Sequence, residues 1–300
     1  MPSLKDLKNR IASVQSTQKI TSAMKMVAAS KLKKAEAAAS QGRPYARRME
    51  RMLSGLVASL PNLETTPKLL AGYGSDTNHL LVVVTGDRGL CGGFNSSVAR
   101  ETRKHVAALQ SEGKQVRILC IGRKGRDALR GDHGDIIIDT LEQVTRTGAQ
   151  FGPARDIARR LRNMFDNHDF DVCTIIYNTF KSAIAQEMTA KQIIPFRMPE
   201  EGDVGDQGDQ EPAVSTAIYD LEPADDLLLG ALLPANLSMQ VFRALLESFA
   251  SEQGARMTAM DNATRNAGDM IDKLTMTYNR SRQAAITKEL IEIISGAEAL

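Results

Sequence analysis

The chain contains no tryptophan, and its aromatic content is 4% of 300 residues. A core built without large rings has to be packed through Ala, Leu, Ile, Val and Met, which long helices supply readily. Three cysteines, Cys91, Cys120 and Cys173, are too few and too scattered for a disulfide framework, and none forms a CxxC pair. The four histidines (His79, His105, His133, His168) share no ligand spacing with them, so no metal site is indicated. No apolar run approaches the ~20 residues of a membrane span. The longest candidate, 227–233, is short and ends at Pro234. No Ser/His/Asp constellation can be assembled, and the carboxylates are unclustered outside 200–212. Catalytic residues, metal ligands and cofactor-binding residues are therefore all read as none.

Charge is scarce in sum but uneven in place. The net charge is +2, yet residues 1–58 carry 12 Lys and Arg against 3 Asp and Glu. Residues 238–300 carry 7 against 8. A basic arm at one end fits either a partner with acidic surfaces or a solvated helix face.

Proline and glycine are missing from 3–39, and proline is missing after Pro234 as far as Leu300. In the first of these segments Ser3 with Asp6 reads as an N-cap with a first-turn acid. Leu4, Leu7, Ile11 and Val14 stand at a/d spacing, and Ile20, Met24, Val27 and Ala28 continue the stripe after a drift. Gly42-Arg43-Pro44 predicts a bend or break before a second helical stretch ends at Pro61. The C-terminal segment, capped at Asn236 or Ser238, carries Val241, Leu245, Phe249, Met257, Met260, Thr264, Ala267, Ile271, Leu274 and Tyr278 at spacings of three and four. Ile286, Leu290, Ile293 and Ala297 finish that stripe on a shifted face. Sixty helical residues span roughly 90 Å, so such a helix protrudes from any domain this chain can form.

Between the helices the period changes. Residues 80–85 (LLVVVT), 116–121, 136–139 and 172–177 read as short strands, with helices over 97–110, 122–129 and 153–165. The expected fold class is α/β with long terminal helices. A two-helix antiparallel coiled coil from 1–60 and 235–300 would carry a small parallel-sheet domain over 75–195. The stretch 196–214, with EEGDVGDQGDQEP at its centre, is too acidic and glycine-rich to bury much and is expected to be a mobile loop.

One loop invites a functional reading. Gly86-Asp87-Arg88-Gly89-Leu90-Cys91-Gly92-Gly93-Phe94-Asn95 follows the first strand and precedes a helix, where a nucleotide fold keeps its phosphate loop. Its spacing is neither G-x-G-x-x-G nor G-x-x-x-x-G-K-[ST], and no Lys-Ser or Lys-Thr follows. A turn for tight strand–helix packing is the competing role. Arg88 near Cys91 would favour some thiolate character there.

The ends of the chain resemble a known family. Residues 18–31 (QKITSAMKMVAASK) resemble the N-terminal signature of the rotary ATP synthase gamma subunit, bacterial type. Residues 250–252 (ASE), 256–264 (RMTAMDNAT) and 278–293 (YNRSRQAAITKELIEI) resemble its C-terminal signature, and Gly89-Leu90-Cys91-Gly92 with Asn95 is similar to its central motif. The resemblance implies a noncatalytic rotor shaft. Its coiled coil would turn inside a ring of alpha and beta subunits, and its α/β domain would rest with the epsilon subunit on the membrane c-ring. It further implies that Met24, Arg256, Arg282, Gln283, Thr287, Glu289 and Glu292 touch the catalytic ring, and that Tyr219 and Glu222 form a foot on the c-ring. Without it, each would be read as a solvated or coil-lining residue. Met1 lies two residues before the first helix, which leaves no targeting peptide. The chloroplast-type cysteine insert is also missing, so the expected location is the cytoplasmic side of a bacterial inner membrane, peripherally attached. The competing classes are a nucleotide-dependent enzyme using 86–95 and a coiled-coil adaptor or nucleic-acid tether. The basic arm lacks interleaved aromatics, so no nucleic-acid partner is expected.

Overall fold

A computed structural model describes residues 3–58, 67–183, 185–197 and 225–298. Helix α1 (Leu4–Ala58) is followed by a single turn, α2 (Lys68–Ala71), and then by β1 (Asn78–Val84), α3 (Phe94–Ser111), β2 (Gln115–Ile121), α4 (Arg123–His133), β3 (Ile137–Leu141), α5 (Phe151–Asp166), β4 (Val172–Phe180), β5 (Gln186–Ile194) and α6 (Asp225–Glu298). Most of the acidic 196–214 segment, with Tyr219 and Glu222, lies outside the described residues.

β1 (NHLLVVV) is apolar from Leu80 onward and is buried on both faces, so it belongs in the middle of a covered sheet. The strand order is β3-β2-β1-β4-β5. The first four strands run parallel, as the sequence pattern predicts. A fifth strand, β5, joins β4 antiparallel and makes the sheet mixed. Its polar sequence, QEMTAKQII, suits an edge that is only partly buried. One face of β1, Leu80, Val82 and Val84, packs on α5 and on Leu237, Val241, Ala244 and Leu245 of α6. The other face, Leu81 and Val83, packs on Val98, Ala99 and Val106 of α3 and Leu129 of α4.

The long helices pair antiparallel. Thr21 meets Thr264, Lys25 meets Asp261, Leu32 and Ala35 cluster with Phe249 and Ala250, and Met49 and Leu53 cluster with Leu229 and Leu233. Position rises along one helix as it falls along the other. In α1 the buried residues Thr21, Ala28, Ala35 and Met49 stand at multiples of seven from buried Leu7, the repeat of a left-handed coiled coil. The start of α1 is capped reciprocally. The Asp6 N–H donates to Ser3 Oγ and the Ser3 N–H to Asp6 Oδ2, both at 3.2 Å.

Four expectations need correcting. The seam does not drift to Ile20 and Val27, which are 56% and 58% exposed; Thr21 takes the seam position because its hydroxyl is satisfied by Thr264 and the Gln18 carbonyl. Gly42-Arg43-Pro44 does not break α1, because Met49 and Leu53 beyond it still dock on α6. Pro234 lies inside α6, not before it. A proline ring normally strikes the carbonyl four residues back, here that of Gly230, yet α6 continues through it. Asn236 and Ser238 are accordingly buried helix-interior residues, not caps, and Ser238 Oγ donates to the Pro234 carbonyl at 2.8 Å. Finally, α6 does contain an 18-residue window apolar enough to cross a bilayer by composition, and 56% of that window is buried inside the protein.

Candidate functional site

Open α/β sheets take ligands in the crevice beyond the carboxyl ends of the strands, where strand order reverses. Here the reversal falls at β1, with β2 on one side and β4 on the other. The loop leaving β1 is closed on itself. The Gly86 N–H donates to Asn95 Oδ1 at 2.9 Å, and Asn95 Nδ2 donates to the Arg88 carbonyl at 3.4 Å and reaches Cys91 Sγ at 3.1 Å. The Asp87 carboxylate accepts the backbone N–H groups of Arg123 (3.0 Å) and Gln143 (2.9 Å), binding three loops together. Leu90 (φ 64°) and Gly92 (φ 56°) supply the left-handed turns.

The crevice is filled by the chain's own α6. Residues 244–254 are all buried, although Glu247, Ser248, Ser251, Glu252 and Gln253 are among them. The Phe180 N–H at the end of β4 donates to Glu247 Oε2 at 3.0 Å, and Ser251 Oγ donates to the Asn178 carbonyl at 3.1 Å. Thr258 Oγ1 donates to the Ala183 carbonyl at 3.1 Å. On the β1 side, the Glu252 carboxylate presses against Gly86, where an added Cβ would lie 2.9 Å from it. Arg256 holds that carboxylate at 2.6 Å and also donates to the Gly89 carbonyl at 3.3 Å. Burial pushes the Glu252 carboxyl above its usual range, against the pull of the Arg256 charge and hydrogen bond. A phosphate approaching this loop would meet a buried carboxylate already in place, so both space and charge oppose the nucleotide reading.

The expectation of a reactive Cys91 also fails. The thiol is 1% exposed, and burial, followed by the charge of Glu252, pushes it up and away from thiolate. Burial likewise pushes Cys120 up to about 12 and raises Cys173.

The residues singled out from sequence separate into distinct places. Arg282, Gln283, Thr287 and Glu289 are exposed on the last part of α6. In the register set by Thr21–Thr264 and Lys25–Asp261, the first residue of α1 lies opposite the turn before Arg282. From there on α6 runs without α1 beside it. Thr287 Oγ1 donates to the Gln283 carbonyl at 2.9 Å. Ile286, Leu290, Ile291, Ile293 and Ile294 on the same stretch are 49–68% exposed, a density that marks a contact surface. The Glu292 side chain lies outside the described residues. Met24 is half-buried in the paired shaft, and Arg256 is at the crevice, about 39 Å along the helix from Arg282. Sequence reasoning missed Glu247 and the role of Glu252. For Glu252 the available signal was an arginine four residues on, at Arg256; Glu247 had none of that kind.

The chain can now be set beside known proteins. A family model described as ATP synthase matches residues 3–300. A gamma chain of ATP synthase from Paramagnetospirillum magneticum is 58% identical over 300 residues, and one from Rhodospirillum rubrum is 56% identical over 300, each with 100% of both chains covered. Among solved structures, a chain of the Tetrahymena thermophila mitochondrial ATP synthase central stalk and c-ring is 27% identical, with a TM-score of 0.59 over 81% of this chain and 99% of that one. A chain of the Euglena gracilis mitochondrial ATP synthase shares the fold with a TM-score of 0.67 over 99% of this chain and 94% of that one, at 21% identity. Full-length identity at this level, over both helices and the sheet between them, places the chain in the ATP synthase gamma-chain family.

Proposed function

We infer that the chain is the central rotor of a proton-translocating ATP synthase, transmitting rotation between a membrane c-ring and the catalytic subunits around the shaft. Full-length membership of the gamma-chain family carries this reading, and the geometry agrees with it. A shaft that must transmit torque needs two packed helices, and a heptad-paired coil supplies them. Its far end must enter a partner, and the unpaired end of α6 offers exposed apolar and polar side chains for that. The shaft is also asymmetric, two helices thick along most of its length and one at the tip. Rotation therefore presents a different outline to each surrounding subunit in turn.

In this reading the tip residues Arg282, Gln283, Thr287, Glu289 and Glu292 contact a ring of alpha and beta subunits, with Met24 doing so part-way along the shaft. Arg282 would form charge-assisted hydrogen bonds to acidic loops, each about 1.5–3 kcal/mol. Arg256 would reach the ring only through whatever part the Glu252 contact leaves free. Tyr219 and Glu222 form the foot on the c-ring beside an epsilon subunit, on the cytoplasmic side of a bacterial inner membrane. Bond-making is left to the ring, and the adaptor alternative has only the coil in its favour.

The test is a Gln283→Cys chain, tagged and purified with whatever assembles on it. A second cysteine, introduced on the facing loop of the ring subunit, supplies the other thiol of the disulfide. Recovery of an ATPase that oxidative cross-linking from position 283 to a ring subunit arrests, and that reductant restores, is the expected result. Unchanged turnover with the cross-link formed would show that hydrolysis does not require this shaft to turn.

A further inference from the structure

The rotor reading uses the tip and the foot and leaves unexplained the buried ion pair at the crevice. Apolar packing of α6 on the sheet resists separation, but it is non-directional and tolerates small rotations of the helix about its axis. Directional groups are concentrated in one place. Glu247 and Ser251 bond the end of β4, and Arg256 bonds the Gly89 carbonyl in the loop after β1. Glu252 fills the space over Gly86 and pairs with Arg256 at 2.6 Å, with only 9% and 12% of their side chains exposed. The end of β4 and the loop leaving β1 are thus both bonded to one short length of helix.

We propose that Glu252 and Arg256 are positioning residues for rotary coupling: a latch that fixes the angle of α6 about its axis against the α/β domain. Torque entering through the domain then reaches the shaft without slip. The latch rests on the rotor reading, since without rotation there is no torque to hold. It assigns Arg256 an internal task, and it makes Gly86 a requirement of the Glu252 carboxylate.

The test uses membrane vesicles carrying the whole complex with Glu252→Gln, Glu252→Ala, Arg256→Ala or the double alanine variant, the amount of chain per complex being quantified. ATP hydrolysis and ATP-driven proton uptake are measured together. Each single variant is expected to lower the protons moved per ATP hydrolysed. The double variant should be no worse than either single, and Arg256→Lys should recover part of the loss. Glu252→Gln keeps the volume and is read if the alanine variants fail to assemble. An unchanged ratio in Glu252→Gln, or a defect in Arg256→Ala with none in Glu252→Ala, overturns the latch while the rotor reading stands. A wild-type chain that enters no ATPase complex overturns both.

Discussion

The two halves of α6 differ in surroundings far more than in composition. Over residues 244–254 the helix is enclosed on every side, by the sheet, by α1 and by the loop after β1. Beyond Arg282 it is equally rich in aliphatic residues, yet Ile286, Leu290, Ile291, Ile293 and Ile294 stand open. In the first half, apolar groups fix the helix and buried polar groups orient it. In the second, the same kinds of side chain do nothing for the isolated chain and are available to something else. Burial of the polar residues, more than exposure of the apolar ones, tells the anchored half from the presented half.

Paired substitutions break that contrast most sharply. Leu245→Ala, at a fully buried site between α6 and the sheet, should cost about 3 kcal/mol in chemical denaturation of the isolated chain. Leu290→Ala, 53% exposed, should stay within about 0.5 kcal/mol. Equal losses would mean that the tip is packed in the free chain. Next in size, Gly86→Ala should cost about 1–3 kcal/mol by displacing the Glu252 carboxylate, measured as a fall in thermal midpoint. An unchanged midpoint would show that α6 has slack at the crevice.

The smallest effect concerns the paired shaft between the two halves. The hydrogen bond from Lys25 holds the Asp261 carboxyl below its usual range. A lowered folded-state value means that this stabilisation is present above the unfolded-state value, near 3.9, and is lost as pH falls through the folded one. Asp261→Asn should therefore flatten the acid limb of helix content below about pH 4. An identical limb in the variant would show that the contact contributes nothing.

Much of this architecture is legible in the residues alone. LLVVVT, short and β-branched, reads as a buried strand, and steps of three and four over a proline-free run read as a long amphipathic helix. Elsewhere the sequence is ambiguous for physical reasons. β5 alternates weakly because an edge strand has one neighbour. Thr21 outcompetes Ile20 for the seam because a hydroxyl with two partners carries no burial penalty, and hydropathy does not register partners. Pro234 reads as a stop because its ring removes a helical N–H. The docking of Leu229 and Leu233 on Met49 and Leu53, which flanks it, depends instead on residues far away in the chain. Arg282, Gln283, Thr287 and Glu289 were marked by resemblance and share one exposed stretch, whereas Arg256 lies at the crevice. Glu252 stood in a quoted motif with no role assigned, because its role depends on a loop 160-odd positions away, brought close only by the fold.

Because a single uninterrupted helix joins the crevice to the tip, the number of residues between Glu252 and Arg282 is a phase setting. Each inserted residue would turn the tip by about 100° and advance it by about 1.5 Å relative to the domain. Single insertions or deletions in this stretch would therefore retime the shaft against its surroundings while leaving the domain intact. Adding seven residues here and seven at the matching point in α1 would lengthen the shaft by about 10 Å and nearly restore its timing.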